Sequence, residues 1–263
     1  MTDDYYYGQG RVWLAPYGGD AASWRWIGDV SSLTLKLEFE EKKTQSSIAG
    51  RLVTGQRYLT ALSGGLSATW YAWSAENLAL VLQAVQSSQR QSWTSETLPP
   101  GIVAGSHVAL GNTNVRDVLI EGLNNGVDFK VNAAFGTLDF LTTPVNQPLR
   151  VEYDYSAAKT LALLTSKPKE LMLRYEGINL ADNNRAIFVE LYRLSLDPVS
   201  EAEFLNSDTE FPGLDTDAEL LADLTRSPVD EMGQFGRIVI PDDFRLITYN
   251  DEIDFDGEHD FAY

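Results

Sequence analysis

The chain of 263 residues has no cysteine, two histidines, and 20 lysines and arginines against 38 aspartates and glutamates, for a formal charge of −18. Each shortage excludes some chemistry. Without cysteine there are no disulfides, thiolate metal sites or cysteine nucleophiles, so packing must hold the fold. With His107 and His259 as the only histidines, neither an HExxH helix nor a histidine-rich metal site is available, and both are expected at the surface or in loops. The best apolar run, Leu78 to Leu82, is far short of the roughly 18 residues that span a bilayer. Met1 to Asp4 is acidic where an export signal is basic, so the expectation is a soluble protein made without one. A charge of −18 repels phosphate and anionic membranes, and the bases do not cluster into a nucleic-acid groove. The acid itself is uneven: the first 200 residues sum to −3, while the last 63 carry 18 acids and 3 bases.

Motifs for catalysis are equally scarce. Gly50-Arg-Leu-Val-Thr-Gly55-Gln-Arg57 has the glycine spacing of a phosphate-binding loop. It puts Gln56 where the phosphate-binding lysine belongs and Arg57 where a Mg²⁺-binding hydroxyl belongs, so that reading fails. Gly8-x-Gly10 lacks the third glycine and the preceding strand of a dinucleotide fingerprint. No G-x-S-x-G elbow occurs. Glu252-x-Asp254-x-Asp256-Gly257 resembles the start of a Ca²⁺ loop. Its first position is Glu, its twelfth is Tyr263 and flanking helices are missing, so Asp251, Glu252, Asp254 and Asp256 read as an acidic tail that meets solvent or a partner. No cofactor or metal is expected, and no enzyme.

Hydrophobic periodicity predicts an all-β or β-dominated architecture with one helix packed on a sheet. Arg11 to Pro16 and Trp24 to Ile27 read as a hairpin around Tyr17-Gly-Gly-Asp20. Leu33, Leu35, Leu37 and Phe39 alternate with polar residues, the mark of a half-buried strand. Polar residues from Glu40 to Ser47, then Gly50 to Gly55, read as a long projecting loop over 40–56. Leu66 to Trp73 alternates again, and Ser74 caps a helix expected over about 75–86. The Ser/Gln-rich stretch and Pro99-Pro100 open an inserted β-rich unit over 91–160, which divides a core of 1–90 and 161–263. Alternation marks strands at Lys169 to Tyr175 and Arg185 to Leu196, with a short helix at Asp217 to Leu224 and a strand at Gln234 to Ile240. The six tryptophans, Trp13, Trp24, Trp26, Trp70, Trp73 and Trp93, suit cores and protein interfaces better than a sugar-stacking platform.

Four segments together resemble the tail tube proteins of tailed bacteriophages, of the siphophage major tail protein type. They are Gly10 to Pro16 with Trp26 to Lys36; the polar stretch Glu40 to Gly55 leading to Leu66-Ser-Ala-Thr-Trp70 and the helix from Ser74; Val151 to Ala157; and Glu170 to Asn179 with Asn183 and Phe188 to Tyr192, ending at Asp197-Pro198. They span about 1–90 and 150–200. The resemblance implies two sheets with a flanking helix, with six copies closing a ring whose inner sheets join into a β-barrel. Rings stack into a hollow tube in the virion tail, assembled in the host cytoplasm with other tail proteins, and DNA passes through it during ejection without specific binding. The polar loop of such proteins bridges subunits or rings. By position that loop is Glu40 to Gln56 here, with Glu40, Glu41, Lys42, Lys43, Thr44, Gln45, Ser46, Ser47 and Arg51 as its contact residues. The family has no catalytic motif to carry over.

The charge fits such a conduit, because a basic lumen would hold DNA whereas a negative one lets it slide. Lys42 and Lys43 are expected to meet acids of a neighbouring copy, and the insertion is expected on an outer wall. The alternatives are a carbohydrate-binding β-sandwich in adhesion, favoured only by the tryptophans, and the inner tube of a contractile tail or secretion machine.

Overall fold

The structure, a computed structural model, describes residues 5–20, 23–48, 51–182, 184–207, 211–228 and 233–241. Among these residues the chain is mainly β, with several antiparallel sheets and one helix. Four strands open the chain: β1 (Gly8–Pro16), β2 (Arg25–Trp26), β3 (Val30–Ile48) and β4 (Arg51–Trp70), followed by α1 (Ala75–Val81). Then come β5 (Val85–Gln89), β6 (Ser92–Thr97), β7 (His107–Ala109), β8 (Val115–Ile120), β9 (Phe129–Asn132), β10 (Thr137–Phe140), β11 (Arg150–Tyr155) and β12 (Ala158–Ala162). The last four are β13 (Glu170–Asn179), β14 (Arg185–Leu196), β15 (Leu214–Leu220) and β16 (Gly236–Val239). The chain divides into two compact units, one ending at Gln83 and resuming at Ser166, the other spanning Ala84–Thr165.

In the first unit eight strands form one antiparallel sheet, ordered β2-β1-β13-β14-β15-β4-β3, with β16 also pairing β14. Two separate packed sheets were expected; the ladder is instead continuous. The join is narrow, since β14 and β15 share only the register Leu194↔Leu220, Ser195↔Glu219 and Leu196↔Ala218. Val12 and Leu14 of β1 and Leu33 of β3 nevertheless line one cavity of about 20 Å³ with Leu66, Leu173 and Leu196. Those strands are five places apart in the sheet, roughly 24 Å if it were flat. The sheet therefore curls until its two ends share a core, which buries Leu14, Trp70, Leu173, Leu194 and Leu214. Layering arises from curvature rather than from two ladders.

The helix is shorter than the periodicity predicts. Ser74 caps it as expected, its Oγ accepting from Asn77 N at 3.1 Å, but α1 ends at Val81 and Gln83 takes φ 45°. That left-handed residue turns the chain into β5, so Val85 pairs with Ala162 instead of adding a helical turn. The first half of the segment expected to be helical at Asp217 to Leu224 belongs to β15, whose alternate residues Leu214, Thr216, Ala218 and Leu220 are buried while Asp215, Asp217 and Glu219 face outward. Period two was present there, but Thr and Ala carried half of its buried face.

The second unit contains the sheets β6-β11-β8 and β7-β10-β9 and the pair β5-β12. Its core holds Leu98, Phe129, Leu138, Phe140, Val151 and Tyr153. Tyr153 Oη donates to Glu96 at 2.9 Å and accepts from Asn112 at 2.9 Å, which satisfies the one hydroxyl in that core. The unit begins and ends outside the expected 91–160. Ser87 and Ser88, in the Ser/Gln-rich stretch that read as a boundary, are ladder residues of β5 paired with Thr160 and Lys159 of β12.

Candidate assembly surface

The segment expected as a loop over 40–56 is a β-hairpin arm. β3 and β4 pair from Val30↔Trp70 out to Ile48↔Arg51, with register shifts beside Ser32, Glu41 and Gln45. Glu40, Glu41, Lys42, Lys43, Thr44, Gln45, Ser46 and Ser47 are therefore strand residues, and Arg51 opens the return strand. Polarity suggested a loop because neither face of this part of the ladder is buried. β-Pairing needs only backbone partners, and β4 supplies them residue for residue.

Beyond Gly64 the arm has no third strand among the described residues. β15 pairs β4 only from Gly64 to Trp70, and β3 ends the strand order. Gly64 stands where β15 leaves, packed so closely that a Cβ there would lie 3.0 Å from Leu220 Cδ2 and 3.2 Å from the Lys36 carbonyl. Past it, both edges of the arm present unpaired backbone groups among the described residues, the condition that invites another chain.

Register fixes which side chains share a face. Leu35↔Leu66, Leu37↔Gly64 and Phe39↔Leu62 put these residues on one side, and the shift at Thr60 brings Glu41↔Leu59 and then Lys43↔Arg57 onto the same side. Leu33 and Leu66 join the core. Leu37, Phe39, Leu59 and Leu62 continue the same stripe but are 69, 56, 55 and 59 % exposed. The strand expected to be half-buried through Phe39 is thus covered only at its base. Covering the exposed part of each of these side chains is worth on the order of 1 kcal/mol.

Charge closes the outer end of that face. Glu41 accepts a hydrogen bond from Arg57 and pairs with Lys43 at 3.4 Å, so Arg57 first, and Lys43 to a lesser degree, hold its carboxyl below the usual range. The Arg57 guanidinium also lies over the Phe39 ring at 5.9 Å. Lys43 therefore has an acid on its own strand, while Lys42 and Arg51 make no ion pair among the described residues. Glu41 to Arg57 holds four bases and one acid, a basic end on an acidic chain.

Elsewhere Asp223, Glu190 and His107 sit in hydrogen-bonded or ion-paired contacts. Asp223, buried, accepts from Thr225 at 2.6 Å, Tyr17 at 2.9 Å and Arg226 at 3.0 Å. Those bonds, Thr225 foremost, pull its pKa down to about 2 against the cost of burial. Glu190 bridges Arg174 and Arg237 at 2.7 and 2.6 Å. His107 pairs with Asp139 at 2.6 Å on the surface, as expected of a surface histidine. Among the described residues no cluster of three or more His, Asp or Glu side chains is placed to hold a metal, and no helix is long and apolar enough to cross a membrane. Of the tryptophans, Trp70 is buried, Trp13 pairs with Trp26 across β1 and β2, and Trp26 and Trp93 are the most exposed. His259 and the acidic-tail residues Asp251, Glu252, Asp254 and Asp256 lie outside the described residues, as does Asn183.

The reading from sequence found the arm by position but missed its apolar face. The signal was there: the alternation Leu33 to Phe39 runs past the point where other described residues cover it. Comparison with curated proteins gave no match. Residues 5–239 match the family described as protein of unknown function UCP028589, and the chain belongs to that family.

Proposed function

We propose that this protein is a structural subunit that assembles with copies of itself into rings that stack as a tube, the conduit of a bacteriophage tail. The observation that carries this reading is the arm: a two-stranded ladder with two free edges and an apolar stripe that no described residue covers. A lone hairpin of this kind is marginal in water and prone to pair. Docked against a neighbouring copy, its edges and stripe are satisfied by the same event. A heterologous contact that closes by rotation gives a ring, and a second, head-to-tail contact stacks rings. The resemblance of the four sequence segments to tail tube proteins supports the same reading. Function is then geometric and electrostatic, with a negative wall past which DNA slides.

The test is size-exclusion chromatography with light scattering and negative-stain microscopy of the purified chain. Rings or tubes of many copies support the reading. A monomer at concentrations up to the millimolar range contradicts it.

A further inference from the structure

We infer that the basic end of the arm docks on a neighbouring copy in the aromatic pocket at the other end of β4, so that copies join head to tail. This rests on the self-assembly proposed above and names the surface that receives the arm. The pocket has a volume of about 310 Å³ and is lined by Tyr71, Trp73, Glu203, Phe204, Phe211 and Pro212. Trp73 is fixed in it by its Nε1–H donating to the Pro212 carbonyl at 3.1 Å and by an edge contact with Phe204 at 5.5 Å. Phe204 and Phe211 are 76 and 86 % exposed, so ring faces beside one carboxylate are open to a ligand. Aromatic faces with a carboxylate select a cation, and arginine best of the side chains.

Three observations make the ligand a second copy. The first is charge: residues 201–217 hold six acids and no base, whereas Glu41 to Arg57 holds four bases and one acid. Second, Arg51 and Lys42 are exposed at the arm's end and make no ion pair among the described residues, so they are available. The third is position. Arg51 opens β4 and Tyr71 follows its last residue, so roughly 60 Å of strand separates them at about 3.3 Å per residue. A chain cannot fold its own Arg51 into its own pocket across that length of paired strand. The contact is heterologous and leaves a free pocket and a free arm at the two ends, which is the condition for propagation.

The native chain has no cysteine, so Ser47→Cys at the arm's end and Leu205→Cys beside the pocket, placed together in the full chain with Arg51 and the lining rings kept, give a clean readout under mild oxidation. The expected result is a non-reducing gel ladder of dimers, trimers and higher species, with each single variant giving dimers at most. A companion pair reverses charge: Arg51→Glu with Lys42→Glu, and Glu203→Lys. Each alone is expected to shorten tubes to single rings, and the three substitutions in one chain to restore stacking. Rings that form and stack with no disulfide ladder, or with no response to charge reversal, overturn this inference and leave the proposed function standing. A ladder from a chain that never forms rings supports the head-to-tail contact and contradicts the proposed function.

Discussion

Asn77 shows how a single polar side chain ties the only helix of the described residues to the sheet. It is fully buried, donates to the Ile27 and Ala72 carbonyls at 2.8 Å each, and accepts from Arg25 Nη1 at 2.7 Å. Burial pushes the Arg25 pKa down, with Glu76 opposing. Asn77→Ala leaves two carbonyls and a partly buried guanidinium without their partner. It is expected to lower unfolding free energy by about 2–4 kcal/mol in urea titrations followed by tryptophan fluorescence. Asp223 gives a pH dependence of known sign. Its folded pKa of about 2 lies below the ordinary 3.8, so its stabilisation is complete above that ordinary value and is lost as pH falls through the window between them. Melting temperature should drop over that window, and Asp223→Asn should flatten the drop while lowering the plateau above it. None of this was legible in sequence: Asn77 reads as an ordinary helix residue after a cap, and the partners of Asp223 come from positions as distant as Tyr17.

At the scale of elements, the arm allows the proposed assembly to be tested separately from folding. Leu37 and Leu62 are exposed in the single chain, so Leu37→Ser with Leu62→Ser should leave the urea midpoint almost unchanged, within about 0.5 kcal/mol. Loss of large species in light scattering is the expected effect of the same pair. Monomer destabilisation by more than about 2 kcal/mol would mean the stripe is covered within its own chain. Lys42→Glu with Lys43→Glu should likewise weaken assembly. It also breaks the Lys43–Glu41 pair, which is exposed and contributes little. Of the strands with a clean alternation and a covered face, β14 was legible in sequence over its full length, whereas β13 was read only to Tyr175 and runs on to Asn179 through residues that had read as a turn. The arm and β15 were not legible, for opposite reasons. Arm residues look like a loop because no described residue buries them, and β15 looks helical because small and polar residues fill its inner face.

The whole molecule places its insertion where the first unit can close without it. Ser166 N donates to the Gln83 carbonyl at 2.9 Å, so the strands of that unit meet across the point where residues 84–165 depart. Replacing 84–165 by a short Gly-Asn turn should leave a folded first unit that still assembles, checked by circular dichroism and microscopy; a deletion variant that folds but stays monomeric would assign assembly to the insertion. The acidic balance of −18 also has a direct readout, since duplex DNA should show no mobility shift with the assembled protein even at about 50 mM salt, where phosphate contacts are strongest. Both expectations depend on the central claim that the uncovered arm is the means by which copies join. Sedimentation velocity of the native chain beside Leu37→Ser with Leu62→Ser tests that claim most directly. The account predicts large species for the native chain and a single folded monomer for the variant. Native chain that sediments as a monomer, or a variant that assembles as fully as the native chain, would contradict it.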